Sequence, residues 1–394
     1  MEAKISVKKG KAHASNNIKT IVLFDQYSFL GGGQAVLLSI TEAACRVAEQ
    51  VVLAVPTGGA LELAIRQRFG SRVEIVHTPE LQLNHGRKGV FDIAKLIFHS
   101  IGMVIRHWWL VRRADLIHVN GARQFLGVIF LSVLSRKNCC YHVHIDHSNI
   151  EKRLIWLAAS LTTTRCVIIN SHFVMSRLLQ EVKSLANNPK MICIENSLDR
   201  IYEGRNFIDR YAYCEKGSLN VVVLGVIRPE KGQDIAIELA RRDGRIQVNL
   251  IGRIGDGAEK WVAQLQSTAP SNVTFHEPVL DVPAMFDRLG AHVNLVPSQW
   301  EEPFGLVAIE GMACSCITMV SNSGGLADIA TKTSAVCCND IEEMSMAIDR
   351  VFSYTSPEKT ALAKKQFDAA MSLYRPERFV VDMCKVFFCH DSKC

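Results

Sequence analysis

The chain has 394 residues, of which 48% are hydrophobic and 21% charged, with a formal net charge of +6. That balance excludes whole-chain disorder, a small disulfide scaffold and a fibrous repeat, and the length suits two domains of roughly 150–200 residues. The charge is local: residues 1–19 carry five lysines against Glu2, and residues 87–113 carry six basic residues against Asp92. A nucleic-acid partner, which would need a broad basic coat, is not expected.

Residues 1–17 are polar and lysine-bearing with no apolar run, so a disordered tail is expected there and not a secretory signal. No stretch approaches the roughly 18 apolar residues of a membrane span. An intracellular protein follows as the default. The thirteen cysteines sit in apolar runs or as the adjacent pairs Cys139-Cys140 and Cys337-Cys338, as expected of buried reduced thiols. The set Cys384, Cys389, His390, Cys394 fits no standard zinc spacing, and no metal site is expected.

Apolar, β-branched runs then recur with helix-length segments between them. Strands are predicted at 18–24, 50–55, 72–76, 115–119, 138–145, 165–169 and 190–194. After a polar break at 200–218 they resume at 219–224, 245–251, 272–275, 291–296, 315–320 and 334–338. Helices are predicted at 35–50 and 171–185 among others. Continuous apolar strands alternating with helices indicate parallel sheets covered on both faces, and thirteen strands are too many for one ordinary open sheet. We therefore expect an N-terminal domain over 18–205, a C-terminal domain over 206–370, and a helix within 371–394 that can cross back to the first domain. Ligands in such sheets bind at the carboxyl ends of the strands.

Three loops in this order carry chemistry. Ser28–Gln34 follows the first strand and contains Gly31, Gly32 and Gly33, which allow close backbone approach to an anion at a helix start. A tight turn explains these glycines equally well. The loop lacks the G-x-G-x-x-G spacing, and no acidic residue ends the second strand, so a dinucleotide fingerprint is absent. Gly225–Gly232 follows the first strand of the second half and places Arg228 and Lys231 before a helix, a pattern suited to phosphate. Pro297–Ala313 holds Glu302 and Glu310. Pro303 keeps Glu302 in extended backbone, and a helix starting near Phe304 or Gly305 carries Glu310 one to two turns inside. Two carboxylate acceptors then meet one ligand, with the Gly305 and Leu306 N–H groups beside them.

These motifs resemble the retaining glycosyltransferases of GT-B architecture with an E-x7-E signature, the group called family four. Glu302-Pro303-Phe304-Gly305-Leu306 through Glu310 matches the signature, and Ser321–Leu326 the loop after it. Gly225–Gly232 matches the group's G-R-x-x-P-E-K-G loop. Asn170-Ser171 and Asn196-Ser197-Leu198-Asp199 match shorter segments, with Ser197 in place of a glycine. The resemblance implies two Rossmann-like, doubly wound domains facing each other across a cleft. It implies a sugar moved from a nucleotide-sugar donor with retention of configuration, to a glycan or lipid-linked acceptor in cell-envelope polysaccharide or glycolipid synthesis. Glu302 would contact the donor sugar, Glu310 the ribose and Lys231 the diphosphate, with no metal or other cofactor. Gly32, Gly33, Phe304, Gly305 and Leu306 would complete the donor site. The family's arginine after the first glycine is Val226 here, and Arg228 is its expected substitute. His144, at the end of a strand, falls where the family often has a histidine near the reacting carbon. His142 and His147 are its neighbours. A sugar-nucleotide hydrolase or epimerase, and a non-catalytic partner subunit, stay open on the same scaffold.

Residues 87–113 read as a long amphipathic helix bearing Phe91, Leu96, Ile97, Ile101, Val104, Ile105, Trp108 and Trp109, with Arg87, Lys88, Lys95, Arg106, Arg112 and Arg113. That composition suits a helix lying in a membrane interface, so a peripheral place on the cytoplasmic face of a membrane is expected. A core helix with solvated basic ends is the alternative.

Overall fold

A computed structural model describes residues 18–81, 90–144, 149–212 and 217–388. The expected disordered tail, Arg87, Lys88, His147, Cys389, His390 and Cys394 lie outside the described residues.

The first sheet holds β1 (Ile18–Asp25), β2 (Ala48–Pro56), β3 (Val73–Thr78), β4 (Leu116–Asn120), β5 (Asn138–Val143), β6 (Thr164–Ile169) and β7 (Met191–Cys193). Their order is β3-β2-β1-β4-β5-β6-β7, parallel throughout. Between them lie α1 (Gly32–Val47), α2 (Gly59–Phe69), α3 (Val90–Arg113), α4 (Phe125–Ser135), α5 (Asn149–Ser160) and α6 (His172–Glu181).

The second sheet holds β8 (Leu219–Leu224), β9 (Ile246–Ile251), β10 (Val273–His276), β11 (Val293–Val296), β12 (Ile317–Ser321) and β13 (Val336–Cys338). Its order is β10-β9-β8-β11-β12-β13, again parallel. Its helices are α7 (Gln233–Arg242), α8 (Glu259–Thr268), α9 (Val282–Arg288), α10 (Leu306–Ala313), α11 (Gly325–Thr333), α12 (Ile341–Ser353) and α13 (Ser356–Leu373), and α14 (Pro376–Phe388) ends the described chain. These are two Rossmann-like domains in the GT-B arrangement.

All thirteen expected strands are present, with ends displaced by at most two residues. The reason is burial on both faces. Ile21, Val22, Leu23 and Phe24 are all fully buried, so a central strand needs no polar alternation.

Two helix ends differ from expectation. The first helix begins at Gly32, directly after extended Gly31, and ends at Val47, not Gln50. Ala48 and Gln50 instead pair with Ile18 and Thr20 of β1, so the ladder outcompetes another helical turn. The helix predicted over 171–185 starts one residue later and stops at Glu181. Ser171 is its N-cap, with Oγ accepting from the Val174 N–H at 3.1 Å. Lys183–Leu185 forms a separate 3-10 turn.

The chain passes between the domains twice. It leaves the first sheet after β7, and it returns after α13, where α14 lays Phe379, Met383 and Phe387 into the same core as Ile21, Leu37 and Ile40. The Leu198 N–H donates to the Tyr374 carbonyl at 2.9 Å, joining the two passages. Arg46 pairs with Glu377 at 2.6 Å, anchoring α14 to α1 at the surface.

Candidate donor site in the interdomain cleft

A cleft of about 700 Å³ lies between the domains, at the carboxyl ends of β1, β5, β8 and β11. Gly31, Gly32, Gly33 and His144 line it from one side. Lys231, Glu302, Phe304, Gly305, Leu306 and Glu310 line it from the other.

Lys231 ends a 3-10 turn after β8. Gly232 follows with φ +71°, and a Cβ there would sit 1.9 Å from the Pro297 carbonyl. Only glycine lets this turn press against the loop after β11. Lys231 Nζ consequently reaches Glu302 Oε1 at 2.5 Å. The same oxygen accepts from Ser298 Oγ at 2.6 Å, and the Lys231 ammonium sits 5.2 Å from the Trp300 ring centroid. The Glu302 carbonyl accepts from the Gly325 N–H at 2.7 Å, so its backbone is fixed as well. Ser171 of the first domain donates to the Pro303 carbonyl, tying the loop across the domains.

Glu310 is the fifth residue of α10, whose N-cap is Gly305 at φ +106°. Burial, with the negative charge of Asp199 nearby, pushes its carboxyl up to about 7. Near neutral pH Glu310 is therefore partly protonated, and only the ionised form is a pure acceptor.

The glycine run also serves the packing between the domains. A Cβ on Gly32 would meet Leu306 Cδ1 at 3.3 Å, and one on Gly33 would meet the His144 ring at 3.8 Å. These glycines set how closely α1 approaches the start of α10.

His144 follows β5 and lines the cleft, and its Nε2 contacts Asn120 Oδ1. Asn120 Nδ2 donates to Asp25 Oδ2 at 2.5 Å and to the Gly33 carbonyl at 3.1 Å. Gln34 Nε2 donates to Asp25 Oδ1 at 3.0 Å. Because the Asn120 amide must donate to Asp25, its carbonyl faces His144, and His144 Nε2 must carry the proton. Burial pushes Asp25 up to about 6, against the hydrogen bonds from Asn120, the Tyr27 N–H and Gln34. His142 stacks behind His144 at 4.2 Å and is fully buried. Burial, with His144 and His118 nearby, drives His142 well below the usual histidine range, so His142 stays neutral.

Arg228 is not brought to the cleft. Its Nε and Nη2 pair with Glu230 at 3.0 and 3.1 Å, and it does not line the cavity. The expected substitute for the cation absent at Val226 is thus half-buried against Glu230, off the cleft wall. Sequence reasoning also missed Asp25, Asn120 and Arg253. Asp25 and Asn120 are the last residues of neighbouring parallel strands, a position that marks ligand-side groups and could have found them. Among the described residues, no three His, Cys, Asp or Glu side chains converge as a metal site. The ten described cysteines are free thiols.

Residues 214–366 match the family described as Glycosyl transferases group 1. An uncharacterized glycosyltransferase of Methanocaldococcus jannaschii is 32% identical over 158 residues, which are 36% of this chain and 43% of that protein. A glycogen synthase of Actinobacillus succinogenes is 28% identical over 162 residues, 35% of this chain and 32% of that protein. The matches thus span less than half the length of these relatives. Whole-chain likeness is structural. Anabaena HepE, solved with UDP and glucose, superposes with a TM-score of 0.76 at 19% identity, covering 94% of this chain and 99% of that one. WaaG, a glycosyltransferase involved in lipopolysaccharide biosynthesis, gives 0.65 at 14% identity, covering 95% and 100%. Both share the two-domain GT-B fold with this chain.

Proposed function

We propose that this protein is a retaining glycosyltransferase, moving a sugar from a nucleotide-sugar donor to a glycan or lipid-linked acceptor. The observation that carries the reading is the convergence of Lys231, Glu302 and Glu310 on one wall of the interdomain cleft, with His144 on the other. The group 1 match covers the domain that supplies all three of the former residues. The HepE structures, solved with UDP and with UDP-glucose, support a nucleotide-sugar ligand for this cleft.

In this reading Glu310 accepts from the ribose hydroxyls and Glu302 from the donor sugar. Lys231 and the first N–H groups of α10 face the diphosphate, whose charge grows as the bond to the sugar breaks. The leaving phosphate oxygen takes the acceptor's proton on the same face, so the chain itself supplies charge stabilisation and alignment. His144, with its Nε2 proton held by Asn120, lines the cleft near the reacting centre. No metal takes part.

The acceptor is proposed to be lipid-linked or part of a cell-envelope glycan, with the protein peripheral on the cytoplasmic face of a membrane. The support is the outer face of α3, where Phe91, Phe98, Ile105 and Trp109 are 85%, 74%, 74% and 68% exposed. Leu96, Met103 and Val111 of the same helix are buried, and Trp108 packs against the core. The two readings of this segment thus describe opposite faces of one helix. Phe130 and Leu134 of the adjoining α4 are exposed too. Gly127 of α4 allows that close approach, since a Cβ there would lie 2.9 Å from Met103 Sδ. Among the described residues, no helix is long and apolar enough to cross a membrane.

The test is to incubate the protein with a panel of nucleotide sugars and lipid-linked acceptors, with and without EDTA, and to follow the anomeric configuration by NMR. Acceptor-dependent product with the donor's configuration, insensitive to EDTA, supports the reading. Sugar release at full rate without acceptor would assign a hydrolase instead, and an inverted product or strict metal dependence would overturn the mechanism.

A further inference from the structure

This inference rests on the nucleotide-sugar reading and concerns how the diphosphate is held. A diphosphate carries at least two negative charges, and a partly desolvated cleft must meet them with fixed cations or N–H donors. Among the described residues, Arg68, Lys231 and Arg253 are the arginines and lysines that line the cleft. Arg68 is committed to Asp199 at 2.6 Å and Glu42 at 3.2 Å. Lys231 shares its charge with Glu302.

Arg253 is differently placed. The β8–β9 ladder continues beyond the strands. Gly225 N–H donates to the Ile251 carbonyl at 2.9 Å, Ile227 N–H to the Arg253 carbonyl at 2.8 Å, and Ile227 bridges Ile254 in parallel. In that register Arg253 stands opposite Val226, and paired residues of a parallel ladder project to the same face. The guanidinium carbon lies 4.3 Å from the centroid of Phe29, in the glycine-rich loop of the other domain. Stacking occupies the flat face of a guanidinium and leaves its N–H edge available. Nε is buried with no hydrogen-bond partner among the described residues. Nη1 donates to the Ile254 carbonyl at 3.2 Å and to Asp256 Oδ1 at 3.0 Å, and the Asp256 side chain is 77% exposed. A pair that exposed is weak, and an incoming phosphate can displace it.

We propose that Arg253 is the second cation of the donor's diphosphate site, acting beside Lys231 with its plane set by Phe29. The charge that the β8 loop lacks at Val226 is supplied from the neighbouring backbone, one ladder step across.

Calorimetric titration of the full chain with UDP, GDP and ADP, each beside its monophosphate, tests this. For the nucleotide that binds the wild type, Arg253→Gln should weaken the diphosphate about tenfold and the monophosphate by less than about threefold, as loss of one charge-assisted contact predicts. Unchanged affinity, or equal losses for both nucleotides, would overturn the assignment. Asp256→Asn removes the competing carboxylate at an exposed position and keeps the inference testable should Arg253→Gln not fold. It should tighten diphosphate binding by about two- to threefold, and unchanged or weaker binding overturns the assignment. Wild-type protein that binds none of the nucleotides would remove the nucleotide-sugar reading itself, whereas wild-type binding unaffected by Arg253→Gln removes only Arg253.

Discussion

Lys231 Nζ and Glu302 Oε1 lie 2.5 Å apart, although one follows β8 and the other follows β11. Each holds the other at the cleft, and Glu302 is only 5% exposed. Losing Lys231 leaves a buried carboxylate with Ser298 as its side-chain donor and, in the proposed mechanism, removes one of the two cations that meet the leaving diphosphate. Lys231→Ala should lower kcat about 10²–10³-fold, or roughly 2.7–4 kcal/mol of barrier. Steady-state kinetics with kcat within threefold of wild type would separate Lys231 from the chemistry. Glu302→Gln should lower kcat more than it weakens nucleotide-diphosphate binding.

Glu310 should make donor binding pH-dependent. Burial pushes its carboxyl up to about 7, and in the proposed site the ribose hydroxyls need the ionised form. Affinity should fall as pH drops below about 7, approaching tenfold per unit. Glu310→Gln should bind the donor more weakly at pH 8 and show a flatter profile. Parallel profiles for the two proteins would detach Glu310 from the ribose.

The same carboxyl has a stability signature. A folded-state value raised from 4.5 to about 7 means its contribution is fully present below pH 4.5 and is lost as pH rises through 7. Relative to wild type, Glu310→Gln should therefore gain stability between pH 4.5 and 8, by up to roughly 3 kcal/mol. Urea melts across that range measure it, and a constant difference would contradict the buried-acid description.

Asn120 should act through His144. Asn120→Ala and His144→Ala should each lower kcat, with little change in nucleotide-diphosphate affinity. The double variant should be hardly worse than either alone, because the two form one linked unit with a coupling of about 0.5–3 kcal/mol. Additive losses in the cycle would show that Asn120 only supports the fold around Asp25.

The outer face of α3 should bind anionic membranes. Arg106→Gln, Arg112→Gln and Arg113→Gln together should release the protein from phosphatidylglycerol vesicles, at about 1 kcal/mol per cation. High salt should weaken binding in the wild type. Phe98→Ser and Trp109→Ser should weaken vesicle binding without lowering the melting temperature, since both side chains already face outward. Trp108→Ala should do the reverse. Wild-type protein that ignores these vesicles at low salt would end the proposal.

The central strands were legible because they are apolar, β-branched runs buried on both faces, and Glu302 and Glu310 because Pro303 imposes a local geometry on them. What stayed hidden depends on distant partners. Asp25 finds Asn120 from 95 positions away. Arg253 matters through a ladder that extends beyond the strands it joins. Arg228 misled because nearness to Lys231 in sequence is not nearness in space: its extended backbone, φ −165° before Pro229, turns the side chain to Glu230. Trp108 and Trp109 illustrate the same limit, since adjacent residues on a helix point about 100° apart and one faces inward while the other faces out.

The bond from Leu198 to the Tyr374 carbonyl bears on how the cleft can open. Two strands of chain run side by side there like the knuckles of a door hinge, reinforced where Arg378 Nη2 donates to the Glu195 and Asn196 carbonyls at 2.6 and 3.1 Å. A single strand would let one domain swivel in any direction, but a doubled one resists twisting and yields mainly to bending. Any opening of the cleft would then carry Gly32 and Leu306, on its facing walls, apart and together along one arc. A donor of the proposed kind, entering by that swing, would meet the same alignment at each closure.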